Sequence, residues 1–244
     1  MKSVLLSTAL VALSVLSANA QDSAASVELG LGVSVDPSFP GADDQQASPW
    51  LIWRNVQLGG GTTPGDAQGF SFSPSFNTIG ERDPDDDADL AGLDQIDRAY
   101  EIGGQVNYGF GPVTAYGSLR KGFGGHEGLV GSIGAKYRTE VNDRFTLWSG
   151  LALGYGDDEY TQTYFGVSPS EATASGYSEY SPGGGFNTAI AKLEARYALT
   201  DSTALLGEVE YGRLIGDAAD SPIVQDRDQP SVRLGIVRKF SFGF

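Results

Sequence analysis

One residue in the sequence could act as a general base near neutral pH: His126, the only histidine, between Gly125 and Glu127. A hydrolase would also need a carboxylate and a hydroxyl, and other segments would have to supply them. The candidates are Asp43, Asp44, Asp217, Asp220 and Ser221. A lone histidine beside a glycine more often hydrogen-bonds within its own loop. We therefore expect no catalytic residue, no cofactor and no metal site.

Ten other charged residues lie at alternate positions of segments that are otherwise apolar. In extended strands this spacing places every charge on one face. Two interpretations are open for that face. Paired charges could fill a narrow interior, because unpaired charge in a confined space is costly, or the charges could line a selective passage. Pairing is the favoured interpretation. The residues are Glu101, Arg120, Lys136, Lys192, Glu194, Arg196, Glu208, Glu210, Arg233 and Lys239.

Composition narrows the fold class. The 244 residues include 34 Gly and no Cys, and the formal net charge is −15. Without cysteine there is no disulfide framework, thiol nucleophile or thiolate metal site. The acidic balance argues against nucleic acid as a partner, since phosphate binding needs a basic face. Glycine at about twice its usual share of roughly 7 % disfavours a helix bundle and favours an all-β chain.

The N-terminus has the pattern of an export signal. Lys2 precedes an apolar run over 4–16, and small residues lead to Ala20. A basic start, a short apolar run and an A-x-A-like site are typical of a secretory signal peptide. The run is too short for a spanning helix, which needs about 20 residues. We predict a signal peptide over 1–20, cleaved after Ala20, and a single β-barrel domain over 21–244.

Beyond the signal segment the hydrophobic period is two, which is typical of strands with two different faces. Several of the alternating runs are longer than the usual soluble strand of about 5–6 residues and suit a tilted membrane strand of about 9–11. Aromatic residues gather at their ends, where membrane girdles lie. The sequence thus predicts an antiparallel transmembrane β-barrel of ten strands. They cover 27–35, 48–58, 68–79, 99–110, 113–123, 128–139, 144–156, 185–199, 203–214 and 230–244.

The connections alternate between short and long. In bacterial barrels short turns face the periplasm and longer loops lie outside. An even strand number then places both termini on the periplasmic side. Within the long 157–184 segment, Tyr160–Val167 and Ser178–Phe186 could extend the wall, so a barrel of twelve strands is the alternative.

Two arginines fall on the predicted lipid-facing side. Arg213 is near an outer strand end, where it could reach lipid phosphates. Arg238 is nearer the middle of the last strand, where a lipid-facing arginine costs about 2–4 kcal/mol unless a bulge or a slip relieves it. The same strand ends in Phe240, Phe242 and Phe244, and this terminal pattern resembles the signal that barrel-assembly machinery recognises.

The long loops and their flanks, in their order, resemble the MipA/OmpV family of outer-membrane proteins over nearly all of the predicted mature chain. The most specific pieces are YFGV at 164–167 and GDAADSPIV at 216–224. Others are VSVDPSFPGADD at 33–44 and GHEG at 125–128. The motif residues in these loops that the resemblance singles out are Gly125, His126, Gly128, Tyr164, Phe165, Gly166, Asp217, Asp220, Ser221 and Pro222.

This resemblance implies an outer-membrane barrel of a Gram-negative bacterium, surrounded by lipid and without catalytic activity. It implies a scaffold for peptidoglycan enzymes, namely a lytic murein transglycosylase and a murein synthase. They would be contacted through periplasmic turns such as 59–67 and 139–143. The alternatives are a narrow porin-like channel for small solutes and a surface adhesin or hydrolase built on loops 80–98 and 157–184.

Overall fold

A computed structural model describes residues 24–57, 68–85 and 87–243. The predicted signal peptide, the turn 59–67 and Phe244 lie outside the described residues. The described chain is dominated by strands, with three short α-helices, α1 (Asp158–Phe165), α2 (Pro169–Ser175) and α3 (Gly216–Ala219), and one 3-10 helix (Ala88–Leu90).

Ten strands, all antiparallel to their neighbours, form one sheet in the described residues. The order across it is β2-β1-β10-β9-β8-β7-β6-β5-β4-β3, so β2 and β3 are its edges. The strands are β1 (Ala24–Pro37), β2 (Gln45–Gln57), β3 (Gly69–Ile79), β4 (Ala99–Phe110), β5 (Val113–Gly124), β6 (Leu129–Asn142), β7 (Phe145–Gly156), β8 (Gly185–Ala198), β9 (Thr203–Leu214) and β10 (Asp228–Gly243).

Side chains alternate across the wall. Leu31 on β1 and Leu234 on β10 are 64 % and 66 % exposed on the outer face. Glu28 and Ser34, on the opposite face of β1, are buried. An apolar outer face repeated along every strand is typical of a membrane-facing surface, because soluble monomers rarely expose contiguous apolar patches of this extent. The fold is therefore an antiparallel transmembrane β-barrel, as predicted.

The two ends of the barrel differ in their connections. At one end, here called the long-loop end, the strands are joined by 38–44, 80–98, 125–128, 157–184 and 215–227. At the other, the short-turn end, the described connections are 111–112, 143–144 and 199–202. This alternation is the predicted one. The twelve-strand alternative is wrong, because the 157–184 segment forms α1 and α2 above the wall instead of two further strands.

The two lipid-facing arginines lie on neighbouring strands, Arg213 at the long-loop end of β9 and Arg238 within β10. Arg213 is next to the last residue of β9, where it pairs in register with Asp228 and bonds its carboxylate. Arg238 keeps the lipid-facing register without a bulge, opposite Thr203, the first residue of β9. Its guanidinium lies over the Phe240 ring, 5.9 Å from the centroid. As expected, Arg238 lies nearer the middle of β10 than its end, and it stands opposite Leu29 in the pairing with β1. The register contains neither the bulge nor the slip that would relieve an arginine on this face.

Candidate functional site

The long connections at the long-loop end pack into a cap, formed by residues 38–44, 80–98, 157–184 and 215–227. Each of its two apolar clusters draws residues from several of these connections, so the cap has a core of its own and covers the mouth of the barrel. The first cluster contains Phe39, Ala42, Leu90, Leu93, Val167 and Ile223, and the second contains Ile96, Tyr164, Phe165, Leu214, Ala218 and Ala219.

Capping residues place α1 and α2 in the cap. Asp157 is the N-cap of α1: its carboxylate accepts from the backbone N–H of Tyr160 and also from that of Leu129, which ties the helix to the first residue of β6. Helix α2 starts with a capping box between Ser168 and Glu171. Burial alone would raise the pKa of Glu171, but hydrogen bonds from the Asp94 and Ser168 backbone N–H groups hold it below its ordinary value.

The two most specific motifs of the sequence meet inside the cap. The Ser221 hydroxyl donates to the Phe165 carbonyl at 2.6 Å. Asp217 accepts from the Gly183 N–H through its carboxylate and from the Tyr180 hydroxyl through its carbonyl. Asp220 pairs with Arg227 at 3.2 Å, and Pro222 is half-buried between Ser221 and the first cluster. These residues therefore build the cap.

His126 lies beneath the cap with its side chain fully enclosed. Its Nε2 is 3.3 Å from Glu101 Oε1, and the Arg120 Nε donates to Glu101 Oε2 at 2.9 Å. The ring meets Tyr160 and Tyr164 of α1 edge-on, with centroids 5.1 and 5.6 Å away. Two backbone hydrogen bonds hold the β5–β6 connection: the Gly125 N–H donates to the Arg98 carbonyl, and the Gly122 N–H donates to the Gly128 carbonyl. His126 thus joins the wall to the cap.

Charge and burial around this junction keep its phenols neutral. Burial, and then the negative charge of Glu101, raises the pKa of both Tyr160 and Tyr164 well above the ordinary value. Beside them Arg82, whose pKa is lowered by burial, donates to the carbonyls of Tyr164 and Asp94. The two phenols therefore pack the junction, and Arg82 hydrogen-bonds within it.

The five partners considered for a catalytic histidine are engaged elsewhere. Asp217, Asp220 and Ser221 make the cap contacts given above, and Asp44 accepts from the Ser38 hydroxyl. Asp43 is exposed on the cap. A general base must reach a proton on a substrate, and the enclosed ring of His126 offers no such access.

Ion pairs cross the lumen. Arg54 on β2 reaches Glu194 on β8 at 2.5 Å, and Arg196 on β8 reaches Glu28 on β1 at 2.8 Å, although neither pair joins neighbouring strands. Closer to the cap, Arg233 pairs with Asp36 at 2.8 Å. A second group of charges centres on Glu208, which bonds Lys192 and lies 3.6 Å from Arg233. Lys192 also lies 3.7 Å from Glu210. Lys136 interacts with the charge of Glu194, and Lys239 is paired in register with Glu28.

The rest of the lumen divides into an apolar and a hydroxyl-lined part. Ile52, Leu206 and Val237 pack with Ala204 into a buried cluster on the inner side of β2, β9 and β10. On the inner face of β5 and β6, the Ser118 and Ser132 hydroxyls bond each other at 2.9 Å. Side chains from opposite walls therefore meet across the interior.

The described residues contain neither a cluster of metal ligands nor a helix that could span a membrane. Within the described ranges, no group of three or more His, Cys, Asp or Glu side chains lies close enough together to hold a metal ion. None of the described helices is long and apolar enough to cross a membrane.

Comparison with known proteins decides the family. A family model described as "MltA-interacting protein MipA" matches residues 29–240, most of the chain. The chain belongs to the MipA family. Among its relatives, MltA-interacting protein of Escherichia coli (strain K12) is 28 % identical over 132 residues, which is 52 % of each chain. YiaT of the same strain, provisionally described as an outer membrane protein, is 25 % identical over 113 residues, 46 % of this chain and 45 % of YiaT.

The chain spans about half the length of the curated relatives it matches. Among solved structures, an outer membrane channel from Pseudomonas putida F1 aligns with 91 % of this chain and 97 % of its own, at 12 % identity and a TM-score of 0.45. Family membership and fold together make this an outer-membrane protein, as the resemblance implied.

Sequence reasoning missed three lumen residues of this MipA-family barrel. Glu28 and Asp36 alternate with the apolar positions of β1, so the same pattern could have found them. Arg54 follows Trp50 and Ile52 on the inner face of β2, and an apolar inner face gives no such signal. The predicted roles of the lumen charges and of the Phe240 and Phe242 terminal pattern remain predictions.

Proposed function

We propose that the protein is a non-catalytic docking platform of the outer membrane for a peptidoglycan-remodelling enzyme, a lytic murein transglycosylase first and a murein synthase with it. The observation that carries the proposal is an interior crossed by paired side chains. Ion pairs cross the lumen, an apolar cluster packs within it, and the cap covers one mouth. A body built this way suits a rigid anchor better than a passage. The name of the Escherichia coli relative, MltA-interacting protein, supports the choice of partner.

The partner would dock at the short-turn end, which would face the periplasm. There the β6–β7 hairpin projects beyond β5, because the first residue of β5 pairs with Tyr137 while β6 continues to Asn142. Val141 is 54 % exposed near its tip. The Asn142 side chain accepts from the backbone N–H groups of Arg144 and Phe145, both at 3.0 Å, and this fixes the turn. The hairpin therefore offers a preorganised, partly apolar contact.

The test is a pull-down from gently solubilised envelopes, with the purified folded barrel as bait. An unrelated barrel of similar size is the first control. We expect specific recovery of a murein transglycosylase or murein synthase, and loss of most of it with Val141→Ser combined with Arg144→Ser. Glu179→Ser, an exposed change in the cap, should leave recovery unchanged. Recovery no better than that of the unrelated barrel would refute the docking role.

A conductance measurement distinguishes a docking platform from a porin-like channel. In planar bilayers the folded chain should show no steady open level, because the lumen is crossed by paired side chains. A stable conductance that changes in ion selectivity with Lys192→Gln would instead support a channel.

A further inference from the structure

The wall of the barrel has a seam between β2 and β3. These strands end the hydrogen-bonded order of the sheet, and across the described residues neither is paired with the other. The rings of Trp53 and Phe76 meet across the seam with centroids 6.3 Å apart. Side-chain contact therefore bridges this part of the wall where other strand pairs have a continuous backbone ladder.

Both edge strands contain a proline inside the span, Pro49 in β2 and Pro74 in β3. Proline has no backbone N–H, so neither edge presents a complete row of donors. The prolines limit how far the two edges can zip together. They also argue against an added peptide strand as occupant, since strand addition depends on a continuous main-chain ladder.

The seam is also open to its surroundings on both faces. Residues 45–49 of β2 are exposed in succession, and so are residues 76–78 of β3. In the cap-side half of strands that are paired on both sides, every second residue is screened from solvent, as Ser34 is on β1. The succession of exposed residues places the opening in the half of the seam nearer the cap.

The two sides of the seam suit an amphiphile. Outside, Leu51, Trp53 and Phe72 are 77 %, 65 % and 70 % exposed and face lipid. Inside, Trp50 packs against the apolar cluster that includes Ile52. On the inner face of β3 the lining is polar, with the serines Ser71, Ser73 and Ser75 along the strand. An apolar chain fits the β2 side, and hydrogen-bonding groups fit the β3 side.

We propose that this seam is a lateral opening for a bilayer lipid. The acyl chain passes between β2 and β3 to contact Trp50, and the polar head group hydrogen-bonds to the strand edges and the β3 serines. A head group is needed because unsatisfied backbone groups are expensive in hydrocarbon and an acyl chain cannot satisfy them. The opening is separate from docking at the short-turn end, and either can fail without the other.

The three tryptophans allow a direct test. Trp53 is on the outer face beside the seam, Trp50 is on the inner face beside it, and Trp148 is on the inner face of β7, opposite Glu194 in register. Three variants each keep one of them and carry phenylalanine at the other two positions. Folded protein, selected by heat-dependent gel mobility, is reconstituted in phosphatidylcholine vesicles with brominated acyl chains, which quench on contact.

Trp53 should lose most of its fluorescence and Trp148 little. Trp50 should be quenched nearly as strongly as Trp53. Quenching of Trp50 no greater than that of Trp148 would overturn the proposal. If a variant does not fold, the native chain serves instead: a phosphatidylcholine with a diazirine on its acyl chain should label the inner face of β2 and spare Trp148. Absence of label from both the inner face of β2 and Trp148 would also overturn the proposal.

Closing the seam supplies the matched control. The chain has no cysteine, so Trp53→Cys with Phe76→Cys can be joined by a short bismaleimide in the variant that keeps only Trp50. The quenching of Trp50 should then fall to the Trp148 level. Leu31→Cys with Leu51→Cys, which joins β1 and β2 at positions already paired, should leave it unchanged. Quenching that persists after the seam is closed would contradict a lateral opening.

Discussion

At Gly122 the strand β5 has no side chain because the ring of His126 occupies that space. A β-carbon there would lie 2.6 Å from Nε2 of the imidazole, closer than any ordinary contact. The ring is also held by Glu101 and by two tyrosines of α1, so it has nowhere to move. The position of this histidine therefore depends on a residue four places earlier in the chain.

Gly122→Ala should destabilise the barrel by about 1–3 kcal/mol, the usual cost of overpacking a filled interior. Urea unfolding in detergent, followed by tryptophan fluorescence, measures the change. The matched control is Gly117→Ala on the same strand, where the added carbon meets Ile133 only at 3.9 Å. Equal stability of the two variants would show that His126 is not fixed as described.

The carboxylate of Glu171 should make the cap sensitive to acid. Its pKa in the folded cap is below the unfolded value of about 4.3, so its contribution to stability is present above that pH. It is lost as the pH falls through the lower folded pKa. Hydrogen exchange of residues 166–176, corrected for intrinsic rates, should show loosening near about pH 3 relative to about pH 6. Glu171→Gln should abolish this difference, whereas the exposed change Glu179→Gln should retain it.

Between elements, the pair of Arg54 and Glu194 links an edge strand to the far wall. Among the described residues β2 has one hydrogen-bonded neighbour, β1, and this contact at 2.5 Å reaches across the lumen to β8. Both side chains are largely shielded from solvent. The pair thus holds in place a strand that the sheet alone holds on one side.

Removing one charge of this pair should cost about 3 kcal/mol, because the partner is left shielded and uncompensated. Arg54→Gln, Glu194→Gln and the double variant form a cycle whose unfolding free energies give the coupling. The double variant should lose less than the sum of the single losses. The exposed pair of Arg227 and Asp220 in the cap, at 3.2 Å, should couple by less than about 1 kcal/mol. Additive losses for Arg54 and Glu194 would contradict a pair across the lumen.

The elements differ in how far the sequence alone predicts them. Strands β4 and β9 begin and end at the predicted residues, because a period of two bounded by turn residues is a local signal. The helices of the 157–184 segment were not predicted, although Asp157 and the spacing of Ser168 and Glu171 are helix-start signals in the sequence. The enclosure of His126 has no local signal, since residues far away in the chain create it.

For the whole molecule, the two ends have separate tasks in the proposed function. The cap at the long-loop end has its own apolar clusters and capping residues, and the strands beneath it pair through their own ladders everywhere but at the seam between β2 and β3. The projecting β6–β7 hairpin is at the other end. Because the barrel wall does not use the 158–183 segment, the wall and the hairpin should tolerate its loss.

Replacing residues 158–183 with a short glycine–serine linker should therefore leave a folded barrel with heat-dependent gel mobility. Stability should fall, because His126 loses Tyr160 and Tyr164 and the cap loses Phe165. Recovery of the transglycosylase should stay at the level of the intact chain, since docking uses the opposite end. The lumen should stay non-conducting, because the pair of Arg54 and Glu194 still crosses it. Loss of recovery in a folded linker variant would move the docking surface to the cap, and a new steady conductance would identify the cap as the barrier to flow.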